Sequence, residues 1–366
     1  MNKVPTADAG LRPLEQLRLA DLEAIRLVLR GGSIIDWHRL NFRSAEQAAD
    51  FLRAQELYVE LPEDMERARS VKDAAIRYLR RSFQFPIPKP VEALDPAGLL
   101  MLASSRGHRQ LCACTILKVM HIIHHLEAHE LLFMLPVSDQ EVFYLVEEKV
   151  YRVIGGMLAR GFPILEFVGG RKNKDSLYTK LLSKPETVAA RIYDKLRFRV
   201  VTRSADDIFP TLEYLLRYVF PFNYVIPGQS TNTLFHFRAY CEERPHLSAL
   251  LQKLQLSPDL EDQFTKMENR FSAPDYKVVH FVVDMPVRLP DKILKLAPPA
   301  ARKLGPTIFV QTELQIIDRE TEQANEASDA SHSAYKERQK LAVMHRLKVG
   351  LEPPRSERRR QSTKRD

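Results

Sequence analysis

Four groups of polar residues in this 366-residue chain have types and spacing that suit chemistry. The first is RKNKDSLYTK, in which Arg171, Lys172, Lys174, Ser176 and Lys180 follow the β-rich run PILEFVGG. Four cations and a hydroxyl at a strand-to-helix junction suit a polyphosphate, held by point charges and by the helix N-terminus. The second is Asp194 with Arg199, in the apolar run YDKLRFRVV. The third is Tyr276 with His280, and the fourth is Glu313 with Gln315 in TELQI. Side chains alternate along a strand, so Glu313 and Gln315 share one face. Two acids on neighbouring strands, Asp194 and Glu313, make a donor set for Mg²⁺, which takes one or two carboxylates plus substrate phosphates. Taken singly, these groups have ordinary readings: solvated basic surface, a structural Asp194–Arg199 ion pair, a core aromatic at Tyr276.

A fifth group reads differently. His121, His124, His125 and His129 crowd one apolar segment, and His121 and His125 stand four apart, as zinc-binding pairs on a helix do. No glutamate follows the first histidine and no third ligand is evident from the sequence, so a structural role is expected. Cys112, Cys114 and Cys241 are too few and too scattered for a metal set or a disulfide framework and read as reduced thiols.

The elements that must position these groups follow from periodicity. Helices are expected at Leu17 to Leu29, at Ser44 to Leu52 with Ser44 as N-cap, at Glu63 to Phe83 and at Leu111 to Phe133. The four prolines of FQFPIPKPVEALDP exclude regular helix there, leaving a linker or a surface loop. From Gln140 a helix leads into PILEFVGG, a short strand closed by two glycines. Leu196, Phe198 and Val200 alternate as in a strand, and DDIFPTLEYLLRYVF is an amphipathic helix that Asp206 can cap. Strands are expected at Tyr276 to Val283 and Thr307 to Ile316, with a last helix from about Glu320 to Lys348. Strands interleaved with helices mean an α+β domain behind a mostly helical N-terminal region. The expected divisions are 1–135, 136–348 and a basic tail at 349–366.

Composition sets the outer limits. With 45% hydrophobic and 28% charged residues the chain is globular rather than disordered. No run of about 18 apolar residues is seen, so no membrane span is expected. Its first residues lack the basic and apolar sequence of a secretory signal, so a cytoplasmic location is expected. The formal net charge is +8, and Ser333 to Asp366 alone holds eleven Lys/Arg against four Asp/Glu. A basic tail of this kind is a solvated segment or an electrostatic contact for RNA.

The order and texture of the groups resemble the synthetase domain of the RelA/SpoT family, the makers of ppGpp and pppGpp. That family's basic R-x-K-x-x-x-S-x-x-x-K is matched at Ser176 and Lys180, with Arg171 in place if one residue is deleted and Lys172 or Lys174 between. Its aspartate and arginine five apart appear as Asp194 and Arg199. Its Y-x-S-x-H appears as YKVVH, with Val278 for serine, and its E-I-Q-I-R-T as ELQIID, with Ile317 for arginine. DASHSAYK supplies the histidine and Y-K of its last motif as His332, Tyr335 and Lys336. The resemblance spans about Phe162 to Arg338, interrupted by inserts at about 232–272 and 286–306.

The resemblance implies a nucleotidyltransferase-like mixed sheet flanked by helices. It implies transfer of the β,γ-pyrophosphate of ATP to the 3′-hydroxyl of GDP or GTP, as in a GTP pyrophosphokinase. Asp194 and Glu313 would be the catalytic pair and hold Mg²⁺. Arg171, Lys172, Lys174, Ser176, Lys180 and Arg199 would bind ATP. Tyr276, His280, Gln315 and His332 would bind the acceptor. Two other readings stand beside it: a toxin-like relative that pyrophosphorylates tRNA or adenosine nucleotides, and an inactive nucleotide-binding module.

Overall fold

A computed structural model of the chain describes residues 10–31, 40, 42–183, 195–254, 273, 275–328 and 331–347. Its N-terminal helices are α1 (Leu19–Arg30), α2 (Ala45–Ala54), α3 (Pro62–Phe83), α4 (Lys89–Glu92), α5 (Pro96–Ala103), α6 (His108–Met134) and α7 (Asp139–Ala159). Then come β1 (Ile164–Arg171), α8 (Lys174–Ser183), β2 (Leu196–Thr202), α9 (Ile208–Tyr218), β3 (Thr231–Asn232), α10 (Phe237–Glu242) and α11 (Pro245–Leu251). The chain continues through β4 (Val279–Arg288), α12 (Asp291–Leu294), α13 (Pro299–Arg302), β5 (Thr307–Asp318), α14 (Arg319–Ala327) and α15 (His332–Arg346).

The five strands form one sheet in the order β1-β2-β5-β4-β3. Only the central β2–β5 pair is parallel; the other pairs are antiparallel. This is the mixed, helix-flanked sheet behind a mostly helical N-terminal region that the sequence led us to expect.

Period-two alternation gives the sheet two unlike faces. Leu196, Phe198 and Val200 of β2, Leu314 and Ile316 of β5, and Phe281, Val283 and Met285 of β4 point into one core, shared with α7 and α9. Leu22, Ile25, Val28 and Leu29 of α1 join that core too. A second cluster lies within residues 40–117, among α2, α3, α5 and the first half of α6. Helix α6 ties the two together, placing Cys112 and Ile116 in the second cluster and Ala128 and Leu131 in the first.

Several details depart from the sequence reading. The glycines Gly169 and Gly170 do not close β1; they lie inside it, opposite Phe198 and Arg197. Asp206 does not cap α9. Ser204 and Asp207 instead cap the 3-10 turn Ala205–Asp207 that leads into α9, Asp207 Oδ2 accepting from the Ser204 N–H at 3.0 Å, while Asp206 accepts from Tyr240 and Arg244. The proline-rich segment holds a single turn, α4, with Pro90 inside its first turn, where the missing N–H is no loss. The expected last helix is two helices, because Asp318 and Ser331 cap separate starts. Helix α6 is long and apolar enough by length and composition to cross a bilayer. Its apolarity has an internal use, since it packs in both cores.

Candidate functional site

Register builds the site on the other face of the sheet. In the parallel pair Arg197 stands beside Glu313 and Arg199 beside Gln315. Across the antiparallel pair His280 stands beside Gln315, and Val282 beside Glu313. Residues in register share a face, so Arg197, Arg199, Glu313, Gln315 and His280 form one polar surface across three central strands.

Glu313 is its centre. The carboxylate is buried, with 5% of the residue exposed. Gln315 Nε2 donates to Glu313 Oε1 at 2.7 Å, and His280 Nε2 lies 3.3 Å from the same oxygen. One donor two residues along β5 and one on the neighbouring β4 thus fix the acid in one rotamer. Arg199 Nη2 pairs with Glu322 of α14 at 3.3 Å, and its buried Nε has no hydrogen-bond partner among the described residues. The α14 N-terminus is capped by Asp318, whose Oδ1 accepts from the Thr321 N–H at 3.0 Å, so the end of β5 itself aims Glu322 at Arg199.

Helices α8 and α15 pack against each other. Asn173 Oδ1 accepts from the Ser176 N–H at 2.8 Å and starts α8, the helix carrying Lys174, Ser176 and Lys180. Helix α15 holds α8 in place: Gln339 donates to Ser183, and Arg346 to the carbonyl of Leu182 at 2.8 Å. His332 opens α15 behind its cap, Ser331. Burial, with Lys336, Arg197 and Arg199 near it, pushes the His332 imidazole below its ordinary value.

Tyr276 packs against Val201, Val278 and Ile317, at the end of the polar face. Burial raises its phenol pKa, opposed by Arg199. Val278 and Ile317 replace the serine and arginine of the related motifs. Both are buried, at 2% and 0% exposure, and with Val201 they make an apolar floor.

Of the expected residues, Glu313, Gln315, His280, Arg199, Tyr276 and His332 meet here. Arg171 stands apart: register places it opposite Leu196, on the core-facing side, and its guanidinium forks onto Glu147 of α7 at 2.7 and 2.8 Å. The Lys172 N–H donates to the Lys195 carbonyl, joining β1 to the start of β2. Asp194 lies outside the described residues. Arg197 was missed. Its signal was present in RFR, because a strand that points Arg199 at the site must point Arg197 there as well.

No protein-family model matches the chain, and no curated protein does. Solved structures do. Small alarmone synthetase 1 from Bacillus subtilis matches at 14% identity and a TM-score of 0.30, covering 62% of this chain and 94% of that one. The likeness is to alarmone synthetases. The same enzyme bound to its product pppGpp matches at 16% identity and a TM-score of 0.28, over 56% of this chain and 83% of that one. A GTP pyrophosphokinase family protein from Streptococcus pneumoniae matches at 14% and 0.27, over 58% and 90%.

Proposed function

We propose that the chain is a pyrophosphotransferase that moves the β,γ-pyrophosphate of ATP to the 3′-hydroxyl of a guanine nucleotide. The observation that carries this reading is the buried Glu313, oriented by Gln315 and His280 and set beside Arg197 and Arg199 on one sheet face. A buried acid beside cations suits proton acceptance from a hydroxyl while the cations hold phosphate oxygens. In this reading Arg197, Arg199, Lys174 and Lys180 hold the triphosphate, with Ser176 bonding a phosphate oxygen at the α8 N-terminus. Tyr276 stacks on the acceptor base, and His280 and His332 position its ribose and phosphates. Glu313 takes the proton of the attacking 3′-hydroxyl.

In this reading the Glu313 carboxylate, a hard oxygen donor, would hold Mg²⁺, with Asp194 as the second ligand we propose. Such an ion would neutralise charge on the bridging phosphate oxygens. Arg171 is left out of the ATP set, since Glu147 engages it.

The apolar floor of Val201, Val278 and Ile317 favours a second reading, in which the donor chemistry is kept and the acceptor differs, as tRNA or an adenosine nucleotide. One assay separates the readings: labelled ATP with GDP, GTP, AMP or tRNA, followed by chromatography. Transfer to GDP or GTP that falls at least about 10²-fold in Glu313→Gln supports the first, this being the usual scale for loss of an acid–base group. Transfer only to AMP or tRNA supports the second. ATP binding without transfer to any acceptor would reduce the protein to a nucleotide-binding module.

A further inference from the structure

The histidines of α6 have a third partner that the sequence does not show. His125 and His129, one turn apart, face Asp284 of β4, and one donor atom from each of the three lies within 4.8 Å of the others. His125 Nε2 is 2.9 Å from Asp284 Oδ2. Asp284 is a buried acid, its side chain 9% exposed. Its other oxygen, Oδ1, is buried with no hydrogen-bond partner among the described residues, and so is His125 Nδ1. An orphaned carboxylate oxygen beside two imidazoles is costly as it stands and is satisfied by a cation.

We propose that His125, His129 and Asp284 bind one divalent transition-metal ion of the zinc class. Two imidazoles and one carboxylate form the three-ligand set that such ions accept while keeping a further position open. The surroundings suit it. The His125 ring stacks on Phe309 at 4.7 Å and 16°, and Tyr224 lies at 6.3 Å, so aromatic walls fix the ring on one side. The His129 ring, 5.0 Å from His125, is only half-buried and leaves a route in from solvent. The ion would clamp α6 of the helical region to β4 of the sheet. The site is distinct from the one proposed for Mg²⁺: Asp284 stands opposite Gln311, two residues along β5 from Glu313, and its partners are nitrogen ligands that Mg²⁺ does not favour.

The test uses the full chain, stripped with a chelator and titrated calorimetrically with Zn²⁺, Mg²⁺ or Mn²⁺. Co²⁺ absorption serves as a spectroscopic check on ligation. One Zn²⁺ per chain is expected, not displaced by a 100-fold excess of Mg²⁺, with visible Co²⁺ bands. Asp284→Asn and His129→Ala should each weaken Zn²⁺ binding at least 10-fold and abolish the Co²⁺ bands while circular dichroism stays native. Glu313→Gln and a variant with all three cysteines changed to Ser should bind as wild type. Absence of Zn²⁺ binding by the wild-type protein would overturn the proposal. So would unchanged binding in a folded His125→Ala/His129→Ala protein, or loss of binding in the cysteine variant.

Discussion

Side chains on the polar face divide by what they already hold. Glu313 accepts from Gln315 and lies beside His280, and Arg199 pairs with the Glu322 carboxylate, so both serve the fold as well as the proposed chemistry. Arg197 is exposed, in register beside Glu313. Changing it therefore separates binding from stability. Arg197→Ala should leave the melting temperature within the range of an ordinary surface change, about ±0.5 kcal/mol. It should weaken ATP binding roughly 10-fold, the loss of about one charge-assisted hydrogen bond. Equal ATP affinity by calorimetry would remove Arg197 from the site. The thiols make a contrasting case. All three cysteines are buried, and burial raises each thiol pKa, that of Cys241 to about 12. At pH 8 only about one Cys241 in 10⁴ would be thiolate, the form that reacts. A disulfide exchange reagent should therefore titrate three thiols rapidly in denaturant and at least about 10-fold more slowly in the native protein. Fast native release of even one thiol would show that its burial is transient.

At the scale of elements, the close fit between β1 and β2 is set by one glycine. A Cβ at Gly169 would lie 2.6 and 2.7 Å from Phe198 ring carbons and 2.7 Å from the Tyr151 hydroxyl. Phe198 is fully buried and stacked on Phe167, so it has no room to yield. Gly169→Ala should destabilise the protein by about 1–3 kcal/mol, the usual range for overpacking, read from the midpoint of urea unfolding. Gly170, with nothing near its missing Cβ, should accept alanine with little change. The same strand shows what the sequence could reveal. The alternation in β2 and the apolar runs of β4 and β5 were legible because burial on one face imposes period two. The lengths of β4 and β5 were not, since Arg288 and Asp318 continue them as polar residues that only tertiary partners stabilise. The glycines of β1 read as a terminator because local rules see turn propensity, whereas a cross-strand ring demands the space. In the site, Glu313, Gln315 and His280 were legible from spacing. That Asp284 completes a set with the α6 histidines was not, because the two segments are far apart in sequence and the fold alone joins them.

Across the whole molecule, charged pairs fasten residues 50–64 of the helical region to α7, α9 and β4. Lys149 reaches Glu56 at 2.6 Å, Arg217 reaches Asp50 at 3.1 Å, and Arg288 at the end of β4 reaches Asp64 of α3 at 2.7 Å. The last is the most buried. Asp64 is fully inaccessible, accepts the Tyr58 N–H at 2.9 Å, and faces an Arg288 side chain that is 18% exposed and lies 5.5 Å from the Tyr58 ring. Removing one member of such a pair leaves the other charge without its partner, at about 3–5 kcal/mol, whereas replacing both with apolar groups of like volume is often close to neutral. Asp64→Ala should therefore lower the unfolding midpoint sharply, and Asp64→Leu with Arg288→Met should recover most of the loss. The double replacement acts through packing alone, so it also tests whether the pair supplies stability or only fixes how α3 meets β4. If the double change costs the sum of the two single changes, the two charges are not coupled, and the helical region is held by its apolar contacts and the α6 crossing instead.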